Sequence, residues 1–410
     1  MPKGRLVVQK FGGTSVENTE KIFKISKHIR DNYWVMGTRT IVVVSAMGKD
    51  TDKLMKLANE ISKNPNGREL DQLLHTGEDK TASLLAMALN EINVPAISLM
   101  ANQIGLIASS DHGKAKIKGI KDRKYVLNLL KDNILIVAGF QGVVEGSNDI
   151  ATLGRGGSDA TAVALAAFMD ADLCEIYTDV DGIYCVDPRI VSEAKRLKEV
   201  SYEQMYAMAA AGAGVLFDRS VKIAQRYGVP LKVLLSPSRG ESDGGTIVTN
   251  PGKIENLEEV IYARGLAVKK DLACFNFENV KNDPGEASKI LKCFSDINII
   301  DLAQVQGKNT TRISVLVESK DVETAGNNLG QLNKINWALC NNLVALTLID
   351  PLMKEGEGYG DKLSSILGKV KSNIEMMTSS QQSISVVIKK KYLEKSCTAI
   401  AKEFDLLNQI

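Results

Sequence analysis

The chain has 410 residues, long enough for two or three domains, and its 44% hydrophobic and 24% charged content is ordinary for a globular protein. Its 51 basic and 49 acidic residues leave a formal net charge of +2. So even a balance supports neither a nucleic-acid nor a membrane-surface role, and function must come from local sites.

In chain order, Met1 to Lys10 runs directly into a strand-like stretch, without the apolar core of a signal peptide. Short β-rich runs follow at Leu6–Gln9, Ile41–Ser45, Ala96–Leu99, Ile134–Ala138 and Cys174–Thr178. Between them Glu17–Arg30, Asp52–Ser62, Asp79–Asn90 and Asp159–Phe168 read as helices. That alternation predicts a mostly parallel sheet covered on both faces. Ala160–Met169 is the longest helical apolar stretch and is too short to span a bilayer. A last strand at Thr246–Val248 and the turn Asn250-Pro251-Gly252 mark a domain boundary. Beyond it, the spans Gly285 to Asn298 and Gly360 to Asn373 each read as a helix-like stretch. Each leads into two strands, Ile299–Ala303 with Arg312–Val317 and Ile374–Met377 with Ser383–Ile388, which reads as a small α/β unit present twice. Cys174, Cys185, Cys274, Cys293, Cys340 and Cys397 form no C-x-x-C pair, so zinc and redox motifs are unsupported. Scattered thiols suit a reducing compartment, and the cytoplasm is the expected location.

Three motifs carry chemistry. Gln9-Lys10-Phe11-Gly12-Gly13-Thr14-Ser15 follows a strand and precedes a helix. Glycines there let backbone N–H groups approach phosphate oxygens, and Lys10 offers a point charge. The competing reading is a Gly-Gly turn with a solvated lysine, and no Walker A sequence occurs in the chain. Thr152-Leu153-Gly154-Arg155-Gly156-Gly157-Ser158-Asp159 opens a helix, with Ser158 or Asp159 as the expected N-cap. A capping turn needs no arginine between glycines, whereas Arg155 can grip a carboxylate with two parallel hydrogen bonds. Tyr177-Thr178-Asp179-Val180-Asp181-Gly182-Ile183-Tyr184 with Asp187-Pro188-Arg189 reads either as a solvated acidic loop or as a nucleotide cradle. His28, His75 and His112 lie outside all three motifs and read as structural.

In this order the three motifs closely resemble the aspartate kinases of the amino acid kinase family. Ser45-Ala46-Met47-Gly48, Thr51-Asp52, Thr76-Gly77-Glu78 and Gly139-Phe140-Gln141-Gly142 strengthen the resemblance, which covers essentially the whole chain. It implies an α/β chain with an N-terminal three-layer amino acid kinase domain, its sheet mostly parallel, over 1–248 and a linker over 249–261. Two C-terminal α+β ACT-like domains, amino-acid-binding modules, would occupy 262–339 and 340–410. The implied activity is ATP-dependent phosphorylation of the side-chain carboxylate of L-aspartate, the first step towards lysine, threonine and methionine. Lys10 and Asp159 would be the catalytic pair. Ser45, Thr51, Glu78, Arg155 and Ser158 would line the aspartate pocket. Lys10, Gly12, Gly13, Thr178, Asp179, Tyr184, Asp187 and Arg189 would contact ATP. Mg2+ would ride on the nucleotide phosphates, with no protein metal site.

For the tail the resemblance implies a lysine or threonine effector, or both. Asp283, Pro284, Gly285, Glu286, Ala287, Asn298, Ile299 and Gln304 of the first module, and Asn373, Ile374 and Ser380 of the second, would hold it. The second module departs from the family at Ile349–Met353 and Ser379-Ser380-Gln381. Ala207, Phe217 and Asp218 are further departures, expected on the nucleotide side, where family members often carry His-Pro after the pair matching Val215-Leu216. Two alternatives follow: an amino-acid-sensing protein with a decayed kinase domain, and a paralogue acting on another acidic amino acid. A homodimer through the C-terminal domains is expected. No methionine lies between Met208 and Met353, which excludes an internal ATG start near the linker.

Overall fold

The structure is a computed structural model, and it describes residues 4–240, 244–250, 265–307, 310–330, 336–350, 353 and 358–408. Most of the expected linker, from 251 to 261, lies outside the described residues, as do Pro351 and Leu352. Two compact units emerge. The first comprises Met1–Ile183, Arg196–Ala210 and Gly214–Ile261; the second comprises Tyr184–Lys195, Ala211–Ala213 and Tyr262–Ile410.

In the first unit the strands are β1 (Leu6–Phe11), β2 (Arg39–Val44), β3 (Ala96–Leu99), β4 (Leu106–Ala108), β5 (Ile117–Ile120), β6 (Ile134–Ala138), β7 (Gln141–Val144) and β8 (Ile150–Thr152). Then come β9 (Leu173–Thr178), β10 (Ile183–Tyr184, of which Tyr184 counts with the second unit), β11 (Arg196–Leu197), β12 (Glu199–Ser201), β13 (Leu231–Leu235) and β14 (Thr246–Thr249). The helices are α1 (Thr19–Ile29), α2 (Asp50–Ile61), α3 (Gly67–Leu74), α4 (Thr76–Glu91), α5 (Ala101–Ile104), α6 (Arg123–Leu129), α7 (Gly157–Met169), α8 (Tyr202–Ala210) and α9 (Asp218–Tyr227).

Eight strands form one sheet in the order β12-β14-β13-β9-β1-β2-β6-β3, parallel except where β13 meets β14. Strands β2 and β6 are nearly continuous runs of apolar, mostly β-branched residues, as burial on both faces requires, whereas β1 and β9 also bury Gln9 and Glu175. Phe11, Val42, Val44, Ile136 and Ala138 share one core with Ile22 and Ile25 of α1 and Leu85 and Leu89 of α4. Helix α7 lies against β1, β2 and β9 and is buried around nearly its whole circumference. These are the three layers the sequence pattern predicts. A smaller sheet, β5-β4-β7-β8, carries the chain into the loop before α7.

The second unit centres on an antiparallel sheet of β15 (Gly265–Lys281), β16 (Asp301–Gln306), β17 (Thr310–Glu318), β18 (Trp337–Ile349), β19 (Met376–Ser379) and β20 (Ser383–Lys389), in the order β16-β17-β15-β18-β20-β19. Its helices are α10 (Glu286–Lys292), α11 (Val322–Leu329), α12 (Tyr359–Lys369) and α13 (Leu393–Glu403). Both long strands are interrupted by left-handed residues, β15 a second time at Asn279 (φ 56). Asp271 and Asn342, both at φ 57, sit at the bends, where β15 also shifts register against β18. Asp and Asn tolerate this left-handed conformation better than other side-chain-bearing residues. The bends divide each strand between two modules. Phe275, Phe277, Ile313 and Val315 pack on one core with Ile290 and Phe294. On the other side of the bends, Gly265–Lys269 pairs with Ala345–Ile349, which pairs in turn with β20. The repeat read from the sequence is therefore visible in the fold. Gly285 (φ 94) and Gly358 (φ 84) precede α10 and α12 in the same way, so Gly285 corresponds structurally to Gly358 rather than Gly360.

Among the described residues no helix is long and apolar enough to cross a membrane. The six cysteines are all free.

Candidate active site

Strand β1 is the point where the sheet changes direction. The chain passes from β1 to β2 on one side, and β9 later returns to its other side. In open α/β sheets ligands bind outside the carboxyl ends of the strands at such a switch point. Lys10 stands near that end of β1, in register with Val43 of β2 and Ile176 of β9. Its Nζ meets Asp159 Oδ1 at 2.6 Å, with the two side chains only 13% and 4% exposed. Residues 149 positions apart in sequence are thus an ion pair at the sheet's open end.

Of the two glycines beyond β1, close approach of the backbone requires Gly13. A Cβ on Gly12 would stand 3.3 Å from Lys10 Nζ, and one on Gly13 would stand 2.8 Å from the Ala46 carbonyl oxygen. The turn closes by Ser15 N donating to Gly12 O at 2.8 Å, and Gly13 O accepts from Gly48 N at 3.0 Å. Helix α1 then starts at Thr19 under an Asn18 cap.

Beside this turn, β2 ends and Ser45 N donates to Phe11 O. Ala46 N donates to Glu78 Oε1 at 3.0 Å. Gly77 packs so tightly here that an added Cβ would lie 2.8 Å from Ala46 Cβ. Glu78 is buried, and its other oxygen, Oε2, has no partner among the described residues. Burial pushes its carboxyl up to about 8, although the bond from Ala46 N opposes this. A buried carboxyl with one oxygen unsatisfied fits a cationic group arriving from outside. Thr51, in the first turn of α2, is half-buried.

The third wall is the loop into α7. Gly156, at φ 71, is the N-cap. The expectation of a Ser158 or Asp159 cap is therefore corrected: both lie in the first helical turn, buried, and no side chain caps the helix. The bend needs a left-handed residue, so glycine takes the position. Ser158 lies against Gly139 at the end of β6, where a Cβ would meet Ser158 Cβ at 2.9 Å. Arg155 is exposed and has no ion-pair partner among the described residues.

Two residues that sequence reasoning passed over hold this loop. Asp71 of α3 is 1% exposed and accepts from Thr152 N, Thr152 Oγ1, Gly113 N and His112 Nδ1. Arg219 of α9 donates to Leu153 O at 2.9 Å and to Ala115 O at 2.6 Å. Beside it, Phe217 lies over Gly156, whose added Cβ would fall 2.2 Å from the ring. The departure at Phe217, expected on the nucleotide side, touches the Arg155 loop. An isolated aspartate in a helix and an arginine after a helix start carry no sequence signal of such long-range carbonyl and amide partners.

At the end of β9, Thr178 Oγ1 donates to Asp179 Oδ1 at 3.1 Å. Behind it lies a buried polar network that the motifs did not announce. Glu175 accepts from Gln9 Nε2 at 3.0 Å and from Tyr33 OH at 2.5 Å. Tyr33 also meets Tyr177 OH, which meets His28 Nε2. A π-helical turn, Arg30–Trp34, delivers Tyr33 to this network, and burial holds the His28 imidazole below its ordinary value. His75 lies 2.8 Å from Asp79, so all three histidines have structural partners.

Tyr184, Asp187 and Arg189 belong to the second compact unit. Arg189 grips Asp187 through two nitrogens, at 2.9 and 3.0 Å. Of the expected effector residues, Asp283, Pro284 and Gly285 form an exposed turn before α10, with Glu286 and Ala287 half-buried in its start. Asn298, Gln304 and Asn373 are exposed, and Ile299 and Ile374 are half-buried. Ser380 closes the β19–β20 turn, its hydroxyl 2.8 Å from that of Ser383.

Residues 5–234 match the model of the amino acid kinase family, and residues 346–404 match that of an ACT domain. The chain is 39% identical to an aspartokinase of Pseudomonas aeruginosa, over 98% of each chain. Its fold is similar to that of Escherichia coli aspartokinase III solved with aspartate and ADP, with a TM-score of 0.77, 22% identity and coverage of 97% and 99%. The same enzyme solved with lysine and aspartate aligns with a TM-score of 0.76, also at 22% identity, covering 97% of this chain and 99% of that one. The chain belongs to the amino acid kinase family, and its C-terminal part carries an ACT domain.

Proposed function

We propose that this protein transfers the γ-phosphoryl group of ATP to the side-chain carboxylate of L-aspartate, giving 4-phospho-L-aspartate. The observation that carries the reading is the Lys10–Asp159 pair at the switch point, on a chain 39% identical to an aspartokinase end to end. A carboxylate nucleophile has a reference pKa of about 3.9 and is already ionised at neutral pH. No general base is needed. Two anions must instead be held together while charge is neutralised. Lys10 faces the transferring phosphoryl oxygens, and Asp159 orients Lys10. The amides around Gly12 and Gly13 take the phosphates. Mg2+ bound to those phosphates would add to the neutralisation.

Substrate recognition follows from the other two walls. Arg155 takes the α-carboxylate in a planar fork, and Oε2 of Glu78, without a partner among the described residues, takes the α-ammonium. Ser45, Thr51 and Ser158 line the remaining pocket, and Thr178, Asp179, Tyr184, Asp187 and Arg189 hold the nucleotide. ATP-dependent hydroxamate formation tests the reading. Turnover with L-aspartate, and little with L-glutamate or without acceptor, is the expected result. Equal or greater turnover with L-glutamate would favour a paralogue for another acidic amino acid, and none with either would leave an amino-acid-sensing protein.

The tail is the proposed seat of feedback by lysine, threonine or both, placing the reaction first in the route to lysine, threonine and methionine. The complex of a fold relative with lysine supports that class of effector. Dimerisation through residues 262–410 is proposed with it. Strand β16 is an edge strand with Leu302 and Val305 exposed, which is the kind of edge that needs a partner. Free thiols fit a cytoplasmic location.

A further inference from the structure

The loop that carries Arg155 is held on two sides, and this chain's own substitution forms part of the hold. On one side Asp71 takes the amide and hydroxyl of Thr152 together with the amide of Gly113. On the other side Arg219 spans Leu153 O and Ala115 O, so one guanidinium ties the loop before α7 to the turn after His112. Phe217 then covers the left-handed Gly156, leaving no room for even one added carbon there. Gly154, at φ 72, is hemmed in as well, since its Cβ would stand 2.8 Å from Gly113 O.

The chemistry of Arg219 is informative. An arginine at a helix start is poorly placed for the helix dipole, which favours acidic residues there. Half-buried, its guanidinium spends its donors on main-chain carbonyls of two separate loops. Burial lowers its proton affinity from the ordinary value, yet an arginine stays charged. Such a group fixes backbone geometry, because carbonyls bonded to a planar fork have little freedom to move. The residue lying between the fixed carbonyl of Leu153 and the covered Gly156 is, apart from Gly154, Arg155 itself.

We propose that Phe217 and Arg219 are positioning residues that set the Arg155 loop, and that they determine how tightly this enzyme holds the α-carboxylate of its amino-acid substrate. The inference rests on the proposed role of Arg155 as the grip on that carboxylate. A loop held on both sides presents the guanidinium already aligned, so binding loses little further freedom.

Four variants test it: Arg219→Met, Arg219→Lys, Phe217→Ala and Phe217→Leu, each compared with the unaltered protein. Arg219→Met should raise KM for aspartate on the order of tenfold, with kcat and KM for ATP changing less than about threefold. Arg219→Lys, which can still reach one carbonyl, should fall between. Phe217→Ala should raise the same KM, and Phe217→Leu should restore most of it. Hydrogen exchange at the amides of residues 153–157 should quicken in Arg219→Met before any ligand is added. Unchanged exchange there overturns the hold itself. Faster exchange with an unchanged KM for aspartate, or with equal losses in both KM values and kcat, overturns its role in substrate affinity. If Arg219→Met does not fold, Arg219→Lys and the Phe217 pair give the same split. Should the unaltered protein phosphorylate no aspartate, the proposed function fails alone, and the exchange measurement still decides whether these residues hold the loop.

Discussion

Glu78 ties local electrostatics to a measurable pH dependence. Its carboxyl sits near 8 because burial disfavours the charge. At neutral pH and without substrate it is mainly protonated, so binding an ammonium requires it to lose a proton. Aspartate affinity should therefore rise about tenfold per pH unit from near 6.5 up to about 8, then level. KM for aspartate against pH, in wild type and Glu78→Gln, checks this; a flat wild-type profile would remove Glu78 from the ammonium site. The stability consequence has a definite sign. The folded-state value lies above the ordinary 4.5, so the contribution is fully present below 4.5 and is lost as pH rises through about 8. Without aspartate, Glu78→Gln should flatten the fall in melting temperature over that range. Lys10 makes a different demand. A charge acting on the transferring phosphoryl group works mainly in the transition state. Lys10→Ala should lower kcat on the order of a hundredfold or more while aspartate binding persists. A variant with near-normal kcat would move the catalytic role elsewhere.

At the scale of elements, legibility followed the type of signal. Strands β3 and β6 have the bounds their β-branched runs predict, and α1, α2, α4 and α7 lie within three residues of the periodic patterns. Their apolar periodicity is the direct record of a buried face. The small sheet β5-β4-β7-β8 and the helix α3 were not legible, because their strands are three or four residues long and α3 is polar. Yet α3 carries Asp71, on which the loop before α7 depends. The site divides likewise. Gly12, Gly13, Arg155 and Asp159 stand in compact motifs, whereas the partners of Arg219 are 66 and 104 residues away. The start of α4 gives an element-scale prediction. Gly77 lets that helix approach Ala46, and a methyl group there would push α4 away from the end of β2. Gly77→Ala should destabilise the protein by roughly 1–3 kcal/mol and raise KM for aspartate, since Glu78 moves with the helix. Thermal unfolding and steady-state kinetics read the two effects; a variant with unchanged melting temperature and KM would show that the approach is not needed.

At the scale of the whole molecule, the least legible feature is the membership of residues 184–195. Their sequence follows β9 within the kinase pattern, but they fold with the tail. Three backbone hydrogen bonds make that membership physical, and two of them form a single bridge. Leu266 N donates to Cys185 O at 2.6 Å, Lys195 N to Leu406 O at 2.9 Å and Asn408 N to Glu193 O at 2.9 Å, while Ala194 bridges to Leu407. This is the stretch that carries Tyr184, Asp187 and Arg189, the proposed nucleotide contacts. Removing the chain after Asp405 deletes the Leu406 carbonyl and the Asn408 amide, and with them the bridge at Leu407. The truncated protein should keep the fold of the first unit, including β1 and α7. KM for ATP should rise severalfold or more, with KM for aspartate changing much less, because Arg155 and Glu78 lie in the other unit. Nucleotide binding by calorimetry alongside both KM values provides the measurement. An unchanged KM for ATP would mean that the segment holds its shape without these C-terminal bonds.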